Sequence, residues 1–511
     1  MGFGVLRAAI IAALFLCGGA RDGLAQDVTL TSRNGLIRLH GTMESYDGEF
    51  YRVKTSYGLL TLDGQGVRCD GPGCPSLTAY SADIRIAAPV RVGDFLRALI
   101  NGFALARGYD VRRGGAGNPA GRYVLHDKTT GQDVARVQVM LAGADQVLAD
   151  LQAGRADLAL SFQLAAGLPG SGQVLALDAA VPVVARENPV RRLSLPGLAA
   201  ALSGQVRNWA ELGGMDAPIV LHALAEGAGV QQGLEAQLGI KTAASALRHA
   251  DAASLVAGVA RDPWALGVTS IAAMGNTRAL DLTGDCGFLI RATPEAIKAG
   301  DYPLRQPLYL YRPDRRASGD QRDLLEWLAS PQAQRSLRGM GLIDPLPDRI
   351  GLEAQGARLA HAILAAPAGL LPLQQMVTDL AGMDRLTITF RFENESRWLD
   401  APSRDTVATL ALALEAGLYD GQVLLFAGFS DGRGDAGANQ RLSRQRAEAV
   451  RDAVLGNAPL LDARQVTLKV AGFGAALPMA CDDTDMGATV NRRVEVWVQP
   501  VAVTDNPPSG N

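Results

Sequence analysis

Gly428-Phe429-Ser430-Asp431-Gly432-Arg433-Gly434, followed by Asn439-Gln440-Arg441-Leu442-Ser443-Arg444-Gln445-Arg446-Ala447, decides how the C-terminal part of this chain folds. Ahead of the loop, Val423 to Phe429 reads as an apolar strand. Behind it, Asn439, Ser443, Arg446 and Val450 fall on one helical face at i, i+4, i+7 and i+11. The glycines let the loop backbone take positive φ, so a strand end passes into a helix start within a few residues. An acid and a guanidinium are thereby set side by side. Arg446 can fork onto a carboxylate, and Asp431 can accept from an ammonium group. A zwitterionic amino-acid ligand satisfies both.

A second run, Asn491-Arg492-Arg493-Val494-Glu495, answers the first, with Gly472-Phe473-Gly474 and Pro478 between them. Together these residues resemble the OmpA-like peptidoglycan-binding domain, whose pattern runs G-[HF]-[TS]-D-x-x-G, N-x-x-L-S-x-x-R-A, G-x-G-x-x-x-P and N-R-R-V-E. The resemblance implies that Asp431 and Arg446 grip the diaminopimelate of a peptidoglycan stem peptide, without covalent bond or catalysis. Asn439, Gly434 and Arg492 are the further binding positions it implies. Phe429 stands where many relatives carry His. The competing reading is an Asp–Arg pair that only caps the helix. A calcium loop fits worse, because Asp431 and Asp435 lack the further carboxylates and terminal Glu that such a loop needs. The expected domain spans 384–500 as an α+β sandwich in the order β-α-β-α-β-β: strand Leu386 to Phe392, helix Asp405 to Gly417, the motif strand and helix, then strands Val466 to Gly472 and Val494 to Val498.

At 511 residues the chain has room for about three domains of roughly 150 residues. A formal net charge of -3 and a pI near 6.0 give no basic footprint for nucleic acid. Residues 1–25 carry Arg7, an apolar run Ala8 to Leu16, and Gly23-Leu24-Ala25 before Gln26. That is the pattern of a secretory signal peptide, too short to span a bilayer, so the reading is export with no membrane span after cleavage. Cys17 does not read as a lipoprotein site, since Leu16 before it is not small. The remaining cysteines, Cys69, Cys74, Cys286 and Cys481, then enter an oxidising compartment. Cys69-Asp70-Gly71-Pro72-Gly73-Cys74 reads as a turn closed by a disulfide. Cys286 and Cys481 either pair across domains or stay separate.

Residues 27–78 alternate apolar and polar side chains between the turn signals Asn34-Gly35, Asp47-Gly48, Tyr57-Gly58 and Asp63-Gly64, which predicts a small all-β module, an antiparallel meander either open or closed into a barrel. Residues 81–347 alternate strands and helices, beginning with strand Ile84 to Ala88 and helix Gly93 to Ala106, as an α/β domain does. This region resembles the phosphate-type substrate-binding proteins of ABC transporters, on Ala156-Asp157-Leu158-Ala159-Leu160-Ser161, Asn208-Trp209-Ala210-Glu211-Leu212-Gly213 and Asp301-Tyr302-Pro303-Leu304. The resemblance implies two lobes closing on an anion held by hydroxyls and backbone N–H groups. Here Glu226-Gly227-Ala228-Gly229-Val230 has Ala and Val where hydroxyls are expected, and Ala87-Ala88-Pro89-Val90-Arg91 lacks the usual Ser or Thr. Gly227, Gly229, Ser161 and Arg91 remain as candidate solute donors. A degenerate pocket or a different ligand is expected rather than high-affinity phosphate capture. Residues 348–383 read as a helical connector, and 501–511 as a disordered tail.

Nothing reads as a catalytic constellation. His40, His126, His222, His249 and His361 lie far apart without metal-ligand spacing, and Gly170-Ser171-Gly172 lacks the pattern of a nucleophile elbow. No enzyme, cofactor or metal is expected. The leading reading is a periplasmic binding protein held to peptidoglycan, with any outer-membrane association indirect and a solute, an anion among the candidates, or an envelope protein as partner. The alternative is an envelope module of structural or signalling type that has lost its ligand.

Overall fold

The computed structural model describes residues 27–75, 82–114, 120–163, 172–226, 229–284, 288–313, 317–365, 369–393, 398–482 and 485–500. Residues 1–25, read as a signal peptide, Gly227, Cys286, and residues 501–511, read as a tail, lie outside these residues. At the N-terminus, Val28–Ser32, Arg38–Tyr46, Phe50–Thr55, Gly58–Asp63 and Val67–Asp70 form one antiparallel sheet. The first four strands follow the expected meander. The fifth departs from it by returning to the first, so Leu30 faces Leu39 on one side and Cys69 on the other. Period-two alternation buries Val28, Leu30, Tyr51 and Val53 together. The sheet has two edges, Gly58–Asp63 and Val67–Asp70, which do not pair with each other, so no closed barrel forms. The Cys69–Cys74 disulfide, with Cα atoms 5.8 Å apart, ties down the end of the fifth strand.

In the middle domain a single curled sheet serves two lobes. Parallel strands Ala82–Pro89, Asp133–Ala142 and Leu158–Ser161 build the first lobe, with helix Gly93–Arg107 on one face and Ala144–Gln152 on the other. A hairpin, Tyr109–Gly114 with Gly121–Asp127, extends its edge. Gly108 ends the preceding helix in the left-handed region and passes the chain directly into this hairpin, which the sequence pattern did not predict. Strands Val220–Leu224, Leu247–His249 and Ala265–Ser270 form the second lobe. Two long antiparallel strands, Gln173–Val184 and Arg305–Tyr311, join the lobes. The carboxyl ends of strands from both lobes meet beside these crossing strands, the usual ligand position in open α/β sheets.

The C-terminal sheet runs Arg349–Ile350, Asp384–Arg391, Arg493–Pro500, Gln422–Phe429, Val466–Gly472. Helices Ala401–Glu415 and Ala436–Gly456 cover one face, packing Val407, Leu410 and Val450 against Leu424 and Phe426. Helices Gly356–Ala365 and Leu370–Asp379 cover the other, packing Leu373 and Met376 against Leu425, Phe429 and Trp497. The segment read as a connector therefore completes this core. One further helix, Asp485–Asn491, stands before the last strand and was absent from the expected β-α-β-α-β-β order. Seven residues are too few to show a helical period in sequence.

Buried charges join the second lobe to the C-terminal domain. Arg385 reaches Asp301 at 2.7 Å and Glu495 at 3.2 Å, and Glu495 also meets Arg358 at 2.6 Å and Arg493 at 2.8 Å. Arg391 donates to the Gly300 carbonyl at 2.6 Å. At the other end of the chain, Glu49 of the N-terminal sheet pairs with Arg322 of the first lobe at 2.6 Å.

Candidate functional site

Strand Gln422–Phe429 ends at Ser430-Asp431, and helix Ala436–Gly456 starts five residues later, capped by the Asp435 side chain on the Ala438 N–H at 2.7 Å. Gly434 takes φ 85° inside the loop. Asn439 Nδ2 donates to the Arg433 carbonyl at 2.9 Å, tying the loop to the first turn of the helix. Two glycines let this helix lie close on the sheet. A Cβ at Gly428 would overlap the Ser443 carbonyl, and one at Gly472 would stand 2.5 Å from the Arg444 nitrogen. The helix therefore hangs Ser443 and Arg446 over the strand ends.

The structure brings Asp431, Arg492, Asn439, Gly434 and Arg446 to one end of the sheet. Asp431 Oδ2 accepts from Arg492 Nη1 at 3.0 Å, and Oδ1 accepts from the Arg433 N–H at 3.1 Å. Arg446 is 3% exposed, its guanidinium 5.3 Å from the Phe392 ring centroid, and its Nε and Nη1 have no hydrogen-bond partner. Burial and the neighbouring Arg492 lower its pKa, with Asp431 opposing them. A desolvated cation with unused donors is a receptor for a carboxylate. Asp431 supplies the opposite charge beside it.

One supporting residue carried no signal in the sequence. Asp482 accepts from the Gly432 N–H at 2.8 Å and from Asn491 Nδ2 at 2.8 Å, fixing the site loop from the far side. Asn491 also accepts from the backbone of Met479 and Ala480 at 2.6 and 3.0 Å. Asp482 carries no motif signal, since it lies in a loop about 50 residues beyond the one it holds. Arg493 and Glu495, which close the second motif, belong to the buried charge junction instead, both 0% exposed.

Where the lobes meet at the crossing strands, Arg91 follows the end of Ala82–Pro89, Ser161 ends Leu158–Ser161, and Gly229 begins helix Gly229–Leu238. Gly227 lies outside the described residues. Ser161 is fully buried, and its Oγ accepts from the Gln163 N–H at 3.0 Å. Arg91 lies 3.2 Å over the Phe162 ring and 3.6 Å from Asp178, with Nε and Nη2 lacking hydrogen-bond partners. Burial lowers its pKa to about 10, against the pull of Asp178. Asp178 was not singled out in the sequence, where it reads as one polar residue in an apolar strand. The fold also pairs two histidines that sequence left apart, His222 Nδ1 and His249 Nε2 at 2.9 Å.

Two parts of the chain match known domain families. Residues 122–332 match the PBP superfamily domain and residues 391–492 match the OmpA family. The chain is 37% identical over 107 residues to the outer-membrane lipoprotein YfiB of Pseudomonas aeruginosa, covering 21% of this chain and 60% of that protein. It is 31% identical over 110 residues to the probable lipoprotein YiaD of Escherichia coli strain K12, covering 22% of this chain and 48% of that protein. The chain thus spans about half the length of the curated relatives it matches. An ABC-type phosphate transport receptor from Vibrio cholerae aligns at 21% identity and TM-score 0.42, over 51% of this chain and 100% of that one.

Proposed function

We propose that this protein is a non-catalytic binding protein of the cell envelope, held to peptidoglycan by its OmpA domain, with a two-lobed domain that takes an anionic solute only weakly. The observation that carries the anchoring is Arg446, buried with two donors unused beside the Asp431 carboxylate. Diaminopimelate in a stem peptide offers the matching carboxylate and ammonium. Arg446 takes the carboxylate, and Asp431, already oriented by Arg492, takes the ammonium. The OmpA match and the lipoprotein relatives support an envelope location. Among the described residues no helix is long and apolar enough to cross a membrane.

In the cleft, Arg91 is the charged receptor, with Ser161 and the start of helix Gly229–Leu238 supplying neutral donors. Co-sedimentation with diaminopimelate-type sacculi tests the anchor. The full chain is expected in the pellet, and Asp431→Ala and Arg446→Ala in the supernatant with the fold retained. A wild-type chain that stays in the supernatant would overturn the reading and leave the OmpA domain as a protein-interaction module.

A further inference from the structure

The cleft holds a carboxylate of its own. Asp178, on the crossing strand Gln173–Val184, is 2% exposed. Its Oδ1 accepts from the Ser270 hydroxyl at 2.7 Å and from the Ala179 N–H at 2.7 Å, while Oδ2 faces Arg91 Nη2 at 3.6 Å. From the first lobe, Arg91 also donates through Nη1 to Gln306 Oε1 at 3.4 Å. Gln306, on the other crossing strand, donates to the Val230 carbonyl at 3.1 Å in the first turn of a second-lobe helix. Two paths therefore link the lobes through the crossing strands, one by Asp178 and Ser270, the other by Gln306 and Val230.

A guanidinium this far out of water, its side chain 17% exposed, is stabilised by a counter-charge. In a cleft that lacks the expected hydroxyls, Asp178 provides one from within the chain. We infer that Asp178 is the resident anion of the cleft, a tethered carboxylate that stands in for a solute at Arg91 and opposes the entry of free oxyanions. The inference rests on the reading of Arg91 as the anion receptor. Its physical basis is like-charge repulsion: an anion seated on Arg91 lies within a few ångströms of Asp178 in a site shielded from water, where repulsion is strong. The pairing is nevertheless open to exchange. Arg91 and Asp178 stand 3.6 Å apart, and Arg91 Nε and Nη2 make no hydrogen bond. Ser270 and the Ala179 N–H hold Asp178 where it is, so the strand and the second lobe set its distance from Arg91.

Calorimetry and thermal melting of the full chain in inorganic phosphate and in sulfate test this, with Asp178→Asn, Arg91→Met and the double variant. Asp178→Asn is expected to bind these anions about tenfold or more tightly than the wild type. Its melting temperature, lowered by loss of the buried counter-ion, is expected to recover as anion is added. The double variant, with neither charge, should show no recovery. Equal affinity in wild type and Asp178→Asn, with loss in Arg91→Met, overturns the resident-anion inference and leaves the receptor reading standing. Absence of binding in every variant, Asp178→Asn included, overturns both. Should Asp178→Asn fail to fold in plain buffer, refolding yield against phosphate concentration, compared with the double variant, reads the same difference.

Discussion

Arg446 and Glu495 are both buried charges, and the residues around them give them opposite tasks. Arg446 keeps two donors unused, so under the proposed reading an arriving carboxylate would compensate its desolvation. A lysine there would keep the charge but lose the planar fork, so Arg446→Lys should bind peptidoglycan almost as poorly as Arg446→Ala. Sedimentation of the three proteins side by side checks this, and full binding by the lysine variant would show that charge alone suffices. Glu495 is already saturated. Burial would raise its pKa, but Arg358, Arg385 and Arg493 outweigh burial and hold it far below its ordinary value of 4.5. A carboxylate depressed in the folded state stabilises the fold above its unfolded pKa, and that stability is lost as pH falls toward the folded value. Glu495→Gln should therefore be less stable at neutral pH, and its stability should fall less steeply between about pH 4.5 and pH 2. Denaturant unfolding at several pH values measures that slope.

At the level of elements, the site depends on how closely helix Ala436–Gly456 lies on strands Gln422–Phe429 and Val466–Gly472. Gly428 and Gly472 permit that approach. Overpacking of this kind costs about 1–3 kcal/mol, so Gly428→Ala should lower unfolding stability by that order. It should also weaken peptidoglycan binding, because the helix that carries Arg446 must shift. A variant with unchanged stability and binding would show that the contact relaxes without moving the helix. These elements were legible in sequence because the motif spans a strand end, a glycine loop and a helix start, all local features. The same holds for Cys69 and Cys74, which close a short turn. Asp178 facing Arg91, and Asp482 holding the site loop, were not legible. Each contact joins residues far apart in the chain, and neither leaves a periodic or spaced signal.

Across the whole molecule, the second lobe and the C-terminal domain share the buried junction of Asp301, Arg385, Arg391 and Glu495. The first lobe carries the N-terminal sheet through Glu49 and Arg322. Asp301→Asn leaves Arg385 and Arg391 short of a counter-charge, and loss of one partner from a buried pair costs about 3–5 kcal/mol. In the wild type the second lobe and C-terminal domain should unfold together, and in Asp301→Asn they should separate into two transitions by calorimetry. A single unshifted transition would show that the apolar contacts alone hold the domains. The proposed anchoring requires that the OmpA domain grip the zwitterionic end of a stem peptide. Titration of meso-diaminopimelic acid into the full chain, followed by calorimetry in parallel with Arg446→Ala, measures this directly. Saturable binding at one site per chain, abolished by the substitution, is the predicted result; equal heats from the two proteins, or none from the wild type, would contradict it.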